Sequence, residues 1–358
     1  MTTTTDFFAD RRRRNLAILA GIALLSILLA FIGVHVENSE TAQRYPQTTF
    51  FPNLAYQLRN AARIHIESKT GAFDVTFTPG KGWVIPQHAD YPASLDEIRQ
   101  TLVSLAALET IEPKTSRPDW MHYLDLDPPP HGNAVHLSVY DAQGNVLASL
   151  FIGKSEDIGD PGGAIGLFVR KDGDPQSWLV NSPFAPQSDI ASWLDKNVMN
   201  VDRARIQEVD VTPANGPAYT VARAHPSDPD FTLTPIPKGR EVANEAAPDG
   251  VASAIANFSF TDAAPAKNLD LSHATKLVTK TFDGLTVTSQ VVQKGADSWA
   301  VFSAEAAPGN LNTQKEARDI NARAAGWAYK LSPDKAQQFQ TTLESLLKPP
   351  GAPATNGQ

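Results

Sequence analysis

Gly153-Lys154-Ser155 is the tripeptide that opens the helix of a phosphate-binding loop, where backbone N–H groups cradle the phosphates and the lysine reaches them. Here it ends an alternating, strand-like run. It has no upstream glycine in place, and Glu156 and Asp157 follow it, where they would repel phosphate. We read it as a turn. The same loop offers Glu156, Asp157 and Asp160 as oxygen ligands for calcium, but without the spacing of an EF-hand. Asp125 and Asp127 are a carboxylate pair of the kind that divides acid and base roles. Asp125 recurs as Asp270 inside a second Leu-Asp-Leu, however, and that repetition suits a turn. The eight histidines, at 35, 65, 88, 122, 131, 136, 225 and 273, form neither His-x-x-x-His nor His-Glu-x-x-His, so no zinc scaffold is written in the sequence. His65 and His136 fall on the polar phase of alternating strands, where a side chain faces solvent. No Gly-x-Ser-x-Gly elbow occurs. Trp83, Trp120, Trp178, Trp193, Trp299 and Trp327 would suit a glycan platform, but three of them start strands after turns, as core plugs do. From the residues alone we therefore assign no catalytic, cofactor-binding or metal site and expect no cofactor.

Composition narrows the classes further. The chain has 358 residues and no cysteine, which removes disulfides, thiolate catalysis and zinc ribbons together. A net charge of −8 argues against nucleic acid as a partner, because that contact needs a basic face. The length predicts about two domains.

Leu16 to Val34 is an uncharged run of nineteen residues. As a helix it spans about 28 Å, against roughly 30 Å of bilayer hydrocarbon. Arg11 to Arg14 precede it, and only Arg44 follows closely, beside Glu37 and Glu40. The positive-inside rule then places residues 1–15 in the cytoplasm and the bulk outside. The run is longer than a signal-peptide core and no Ala-x-Ala site follows, so an uncleaved anchor in the bacterial inner membrane is expected, with a periplasmic body. With four arginines against Asp6 and Asp10 on the tail, the part beyond the segment carries −10. Such a surface would not adhere to anionic lipid.

The expected organisation is a cytoplasmic tail (1–15), a transmembrane anchor (16–36), a membrane-proximal stalk (37–61), a first repeat (62–200), a second repeat with C-terminal helices (201–348) and a disordered tail (349–358). Alternation at Ile64/Ile66 and Phe73/Val75/Phe77, with turns at Lys69-Thr70-Gly71 and Pro79 to Gly82, predicts antiparallel strands. Ser94 to Glu97 is a capping box, and Leu95, Ile98, Leu102 and Leu105 form one helical stripe behind it. Further strands are expected over 135–139, 146–152, 166–170 and 178–180, and a helix over 187–196. The Pro-rich stretches 224–250 and 262–267 read as loops.

The pattern then restarts. Ala62-Arg63-Ile64 returns as Ala204-Arg205-Ile206, and Leu124-Asp125-Leu126 as Leu269-Asp270-Leu271. The hairpin turning at Asp141 to Gly144 returns around Asp283-Gly284. Ser177-Trp178 is echoed by Ser298-Trp299, and the first helix by Val251 to Asn257. Five matches in one order predict a tandem duplication. The fold class expected is α+β: two tandem repeats of an antiparallel sheet plus one main helix, behind a transmembrane helix. The second copy should add a helix near 313–324 and a last one from Pro333 to about Leu347.

Phe51-Pro52-Asn53-Leu54 before Ala62-Arg63-Ile64, Leu124-Asp125-Leu126 before a proline, Ile152-Gly153-Lys154, and Gly326 to Leu331 together carry a resemblance. With the N-terminal anchor, they resemble the bacterial family known as domain of unknown function "forty-three forty". Members are often encoded beside an ABC transporter and an auxiliary membrane protein of the gliding-motility type. The resemblance implies an accessory role with those partners, an ABC transporter permease and its auxiliary protein, and brings no catalytic residue. Three functions are expected in order: a non-enzymatic accessory or scaffold subunit of such an envelope complex, a periplasmic glycan- or lipid-binding module with its site between the repeats, and a periplasmic hydrolase using Asp157 and Asp160.

Overall fold

The computed structural model describes residues 46–159, 162–183 and 187–349. The anchor over 16–36, the cytoplasmic tail, residues 37–45 of the stalk, Asp160 and the tail beyond 349 lie outside the described residues. Among the described residues no helix is long and apolar enough to cross a membrane.

Short helix α1 (Leu54–Gln57) leads into β1 (Ala61–Ser68), β2 (Gly71–Thr78), β3 (Gly82–Ile85) and β4 (Tyr91–Pro92). Helix α2 (Leu95–Ala107) follows, then β5 (Glu109–Pro113), β6 (Val135–Asp141), β7 (Val146–Glu156), β8 (Ile165–Lys171) and β9 (Ser177–Ser182). The second half holds β10 (Ile206–Thr212), β11 (Tyr219–Ala222), β12 (Thr232–Thr234), α3 (Asp249–Ala252), β13 (Asp262–Pro265), β14 (Thr275–Thr281), β15 (Leu285–Lys294) and β16 (Asp297–Ala306). Helix α4 (Leu311–Ala324), β17 (Trp327–Lys330) and α5 (Pro333–Phe339) complete it.

The strands form two antiparallel sheets, β4-β3-β2-β1-β6-β7-β8-β9-β5 and β12-β11-β10-β14-β15-β16-β17-β13. Apart from the extra edge strand β4, the two orders are the same position by position. The correspondence reaches single residues. A bulge separates Ala61 from Arg63 opposite Asp141 and Tyr140, and another separates Ile206 from Glu208 opposite Thr281 and Lys280. On this register Ile206 takes the place of Ala61, not of Ile64, so the two Ala-Arg-Ile motifs are not equivalent. Nor is Trp178 the counterpart of Trp299. Trp178 faces Pro113 across β9 and β5, as Trp327 faces Pro265 across β17 and β13.

Several elements differ from the sequence-based expectation for identifiable reasons. Strands β12 and β13 lie in the stretches expected to be Pro-rich loops. Both are sheet edges, where a proline forfeits no central ladder bond. The helix expected over 187–196 is one 3-10 turn, Ile190–Trp193, capped by Asp189. Helix α5 stops at Phe339 rather than near Leu347, and the β-branched pair Thr341-Thr342 intervenes before a 3-10 turn at Glu344–Leu346. The main helices differ in place: α2 lies between β4 and β5, and α4 between β16 and β17. The expected counterpart of α2 is only the four-residue α3. The Ser94 half of the capping box is formed, its hydroxyl accepting from the Glu97 N–H at 3.2 Å.

The described end of the stalk belongs to the folded body. Phe50 is buried, its N–H donates to the Leu108 carbonyl, and Thr49 bridges Glu109, which extends the β5 edge by one short segment. Deeper in, Arg223 is buried without a carboxylate. Its five N–H groups are met by carbonyls, including Ile206 at 2.9 Å, Arg203 and Ala204 at 2.8 Å and Asp228 at 2.9 Å, so one guanidinium pins the loop after β11.

One continuous apolar core runs through both sheets. Where they meet, Tyr91 of β4 packs edge-on against Trp327 and Tyr329 of β17 and against Phe260, at ring-centre distances of 4.8, 6.4 and 6.2 Å. A buried phenol needs a partner for its hydroxyl. Tyr91 donates to the Asp195 carbonyl at 2.9 Å and Tyr329 to that of Arg323 at 3.2 Å. Tyr91→Ala should cost about 3–5 kcal/mol, the range for deleting a large buried aromatic. It should also split one urea transition of the full chain in micelles into two, followed by tryptophan emission. A single transition in the variant would place the coupling of the sheets elsewhere.

Candidate functional site

The densest group of chemistry-bearing side chains lies on the face of the first sheet that turns away from the continuous core. Strand pairing assembles it. His136 of β6 faces Glu67 of β1 on one side and Phe151 of β7 on the other, and Ser138 faces Ser149 one row along. The His136 ring stacks on Phe151 with centres 4.4 Å apart and planes 15° from parallel. The Arg170 guanidinium lies 4.5 Å from the same phenyl ring. His136 Nε2 is 3.0 Å from Ser149 Oγ and 3.3 Å from Ser138 Oγ, and the two hydroxyls are 2.8 Å apart. Glu67 lies 3.8 Å from Nδ1 and Asp172 3.6 Å from Nε2. Beside the group, His65 Nδ1 meets Asp74 at 2.9 Å.

A serine, a histidine and an acid in contact suggest nucleophilic catalysis. The geometry does not follow that template. Glu67 stands beyond direct hydrogen-bond reach of the ring. Ser149 is shared between His136 and the buried Ser138, and the N–H groups around it belong to the β6–β7 ladder, leaving no donors for an oxyanion. The group is a cross-strand hydrogen-bonded patch on a sheet face. Alternation alone puts His65 and His136 in solvent, whereas both are half-buried and partnered. The Asp141–Gly144 turn announces the hairpin but not the patch. Counting outward from it sets Ser138 opposite Ala148, and a bulge between Val139 and Tyr140 shifts the register by one to bring Ser138 to Ser149 and His136 to Phe151.

The residues singled out by sequence do not converge. Asp125 adopts a left-handed backbone with φ 55° at the end of a 3-10 helix and accepts from the Asn133 amide at 3.0 Å. Asp270 accepts from the Ser272 N–H at 3.0 Å. Both act within turns. Asp157 accepts from Gly159 N–H at 2.8 Å, and Gly153-Lys154-Ser155 lies inside β7 rather than at a helix start. A Cβ on Gly153 would fall 2.0 Å from the Leu124 carbonyl oxygen, so this glycine serves backbone packing. Among the described residues no group of three or more His, Asp or Glu could hold a metal ion. Trp193 is fully buried, Trp83, Trp178, Trp299 and Trp327 are half-buried, and Trp120 is exposed. The aromatic rings contributed by both sheets pack on one another where the sheets meet.

That junction holds a second polar group. His88 Nε2 meets Asp262 Oδ1 of the other sheet at 2.5 Å. Lys196 donates to the Phe260 carbonyl at 3.2 Å and lies 4.4 Å over that ring, and burial pushes its amine below the usual lysine range. A groove of about 720 Å³ runs beside edge strand β12, floored by Phe231, Leu233, Ile236 and Val242, with Glu245 and Lys348 among its polar lining.

Two large antiparallel sheets with few helices define the architecture. Of the titratable groups lining a smaller groove of about 250 Å³ along α4, Lys315 pairs with Asp319 and Glu316 with Arg205. The model of the family described as Domain of unknown function (DUF4340) matches residues 83–283, and the chain belongs to that family. The match runs from β3 to the turn after β14, so it straddles the junction of the sheets. No curated protein and no solved structure matches the chain.

Burial raises the Asp262 carboxyl, but the hydrogen bond and charge of His88, the Ala263 N–H and Lys330 outweigh it and hold the group below the ordinary carboxylate range. A carboxyl depressed in the folded state stabilises above its unfolded pKa, and that contribution is lost as pH falls through the folded value. The Tm gap between wild type and Asp262→Asn should therefore be widest above about pH 4 and close on further acidification. A gap independent of pH would show that the carboxylate charge contributes nothing to the junction.

Proposed function

We propose that the protein is a non-enzymatic, single-pass inner-membrane protein with a periplasmic body, acting as an accessory or scaffold subunit of an ABC-transporter-type envelope complex. The observation that carries this reading is the join between the sheets. Two sheets of one strand order share a core, and the polar group around His136 is engaged in cross-strand hydrogen bonds on an open sheet face. Such a body suits contact over broad faces. We further propose that the two sheets arose by tandem duplication, for which the matching bulges and the Trp–Pro pairs are the support. Residues 16–36 supply the anchor in this reading.

Gentle-detergent purification of the tagged full-length protein from its own membranes, with mass spectrometry of co-eluting chains, tests the proposal. An ABC permease and its auxiliary protein should be recovered in stoichiometric amount. A truncated chain lacking residues 1–36 should lose them if the anchor carries the contact, and keep them if the sheets do. Recovery of neither across several detergents overturns the scaffold reading.

A further inference from the structure

Between β5 and β6 the chain forms a seven-residue 3-10 helix, Pro118–Leu124. At three residues per turn, side chains at i and i+3 eclipse. Met121 and Leu124 share the inward side and pack with Leu126, Phe151, Phe168 and Leu179 in a separate apolar cluster. Trp120 and Tyr123 also stand three apart, and they project outward, 48% and 65% exposed. The Arg117 guanidinium lies 4.7 Å from the Trp120 ring centre, and the His122 ring lies 3.9 Å from that of Tyr123. Pro118 opens the helix and the left-handed Asp125 closes it. An indole and a phenol are thus held outward on a braced platform.

We infer that this platform rests in the headgroup region of the bilayer in which the chain is anchored, an inference that relies on the anchor reading above. Two observations choose the bilayer. The first is where the chain arrives. Thr48 pairs with Thr110 and Phe50 with Leu108, so the strand running back toward the anchor leaves past Glu112 and Pro113, the end of β5 from which the platform segment departs. Eleven residues separate Val34 from Pro46, which limits the tether to about 40 Å. The second is asymmetry. At the corresponding place after β13, the second sheet has only Ala266–Asn268, an Ala-Lys-Asn turn. Exposed aromatics are found at this position only in the sheet next to the anchor. Tryptophan and tyrosine partition to the membrane interface through an apolar ring with a polar tip, and this requires no positive surface.

The test uses full-length protein in vesicles of phosphatidylethanolamine and phosphatidylglycerol, with and without lipid brominated on the acyl chain. The nineteen-residue run contains no tryptophan, so the anchor itself contributes no emission. The expected result is quenching by brominated lipid of the emission that Trp120→Phe removes, and its loss in that variant. Flotation of the vesicles at alkaline pH is measured in parallel. Flotation with equal quenching in wild type and variant overturns the platform alone. Failure to float overturns the anchor and the platform together. Trp120 emission indifferent to bromine but shifted by soluble peptidoglycan fragments also overturns it, in favour of a glycan surface.

Discussion

The burial of Tyr91 between the sheets is the contact on which the rest depends. A phenol leaves water only if its hydroxyl is met, and the Asp195 carbonyl meets it at 2.9 Å. Burial and the neighbouring Tyr329 drive the Tyr91 pKa upward, which favours the neutral phenol. Around this neutral centre Phe260, Trp327 and Tyr329 supply edge-on contacts, each worth about 0.5–1.5 kcal/mol beyond area burial. Tyr91 belongs to β4, the one strand of the first sheet without a counterpart in the second. The extra strand is therefore what the first sheet uses to hold its neighbour.

The charged groups at the same junction act differently. His88 and Asp262 are partly exposed, so their attraction is screened and contributes to register more than to stability. Lys196 directs its hydrogen bond to a carbonyl and its charge to a ring, which keeps an amine with a lowered pKa from demanding a buried carboxylate. Arg223 follows the same rule inside the second sheet. Its charge is distributed over carbonyl dipoles and the Phe231 ring, 4.7 Å away. For Lys196 and Arg223 the backbone takes the role that an ion pair would otherwise fill at greater desolvation cost.

Much of the fold is legible in the sequence because central strands alternate. Ile64/Ile66 and Val135/Leu137/Val139 name their buried faces directly. Edge strands are not, because one side of an edge needs no N–H donor and admits proline, as β13 does at Pro265. The repeat motifs are a weaker guide than the topology. Ala-Arg-Ile marks the approach to a bulge in one sheet and follows it in the other, so Arg63 reaches Asp74 while Arg205 grips Asp283 and Glu316. Identical tripeptides drift where three-dimensional equivalence is held by bulges, turns and the Trp–Pro pairing. The His136 patch is hidden for a related reason. Ser149 lies 13 residues from His136 and 11 from Ser138, and only a bulged hairpin register brings them together.

The two sheets share a frame, and their outward faces carry different chemistry. On the first, the row through β1, β6 and β7 presents Glu67, His136, Ser138 and Ser149, a neutral-to-acidic hydrogen-bonded patch beside an aromatic platform. On the second, the equivalent strands present Glu208 and Asp210 bound to Lys280, at 2.5 and 2.8 Å, with Thr220 donating to Asp210. Core positions in β1 and β10 are β-branched aliphatics in both sheets, Ile64 and Ile66 in one and Val209 and Val211 in the other, because such side chains fit a buried pleated face. Outward positions meet no such constraint. A frame alike inside and unlike outside presents two surfaces of different charge and hydrogen-bonding character at a fixed spacing, which is the physical requirement for holding two different neighbours in one assembly.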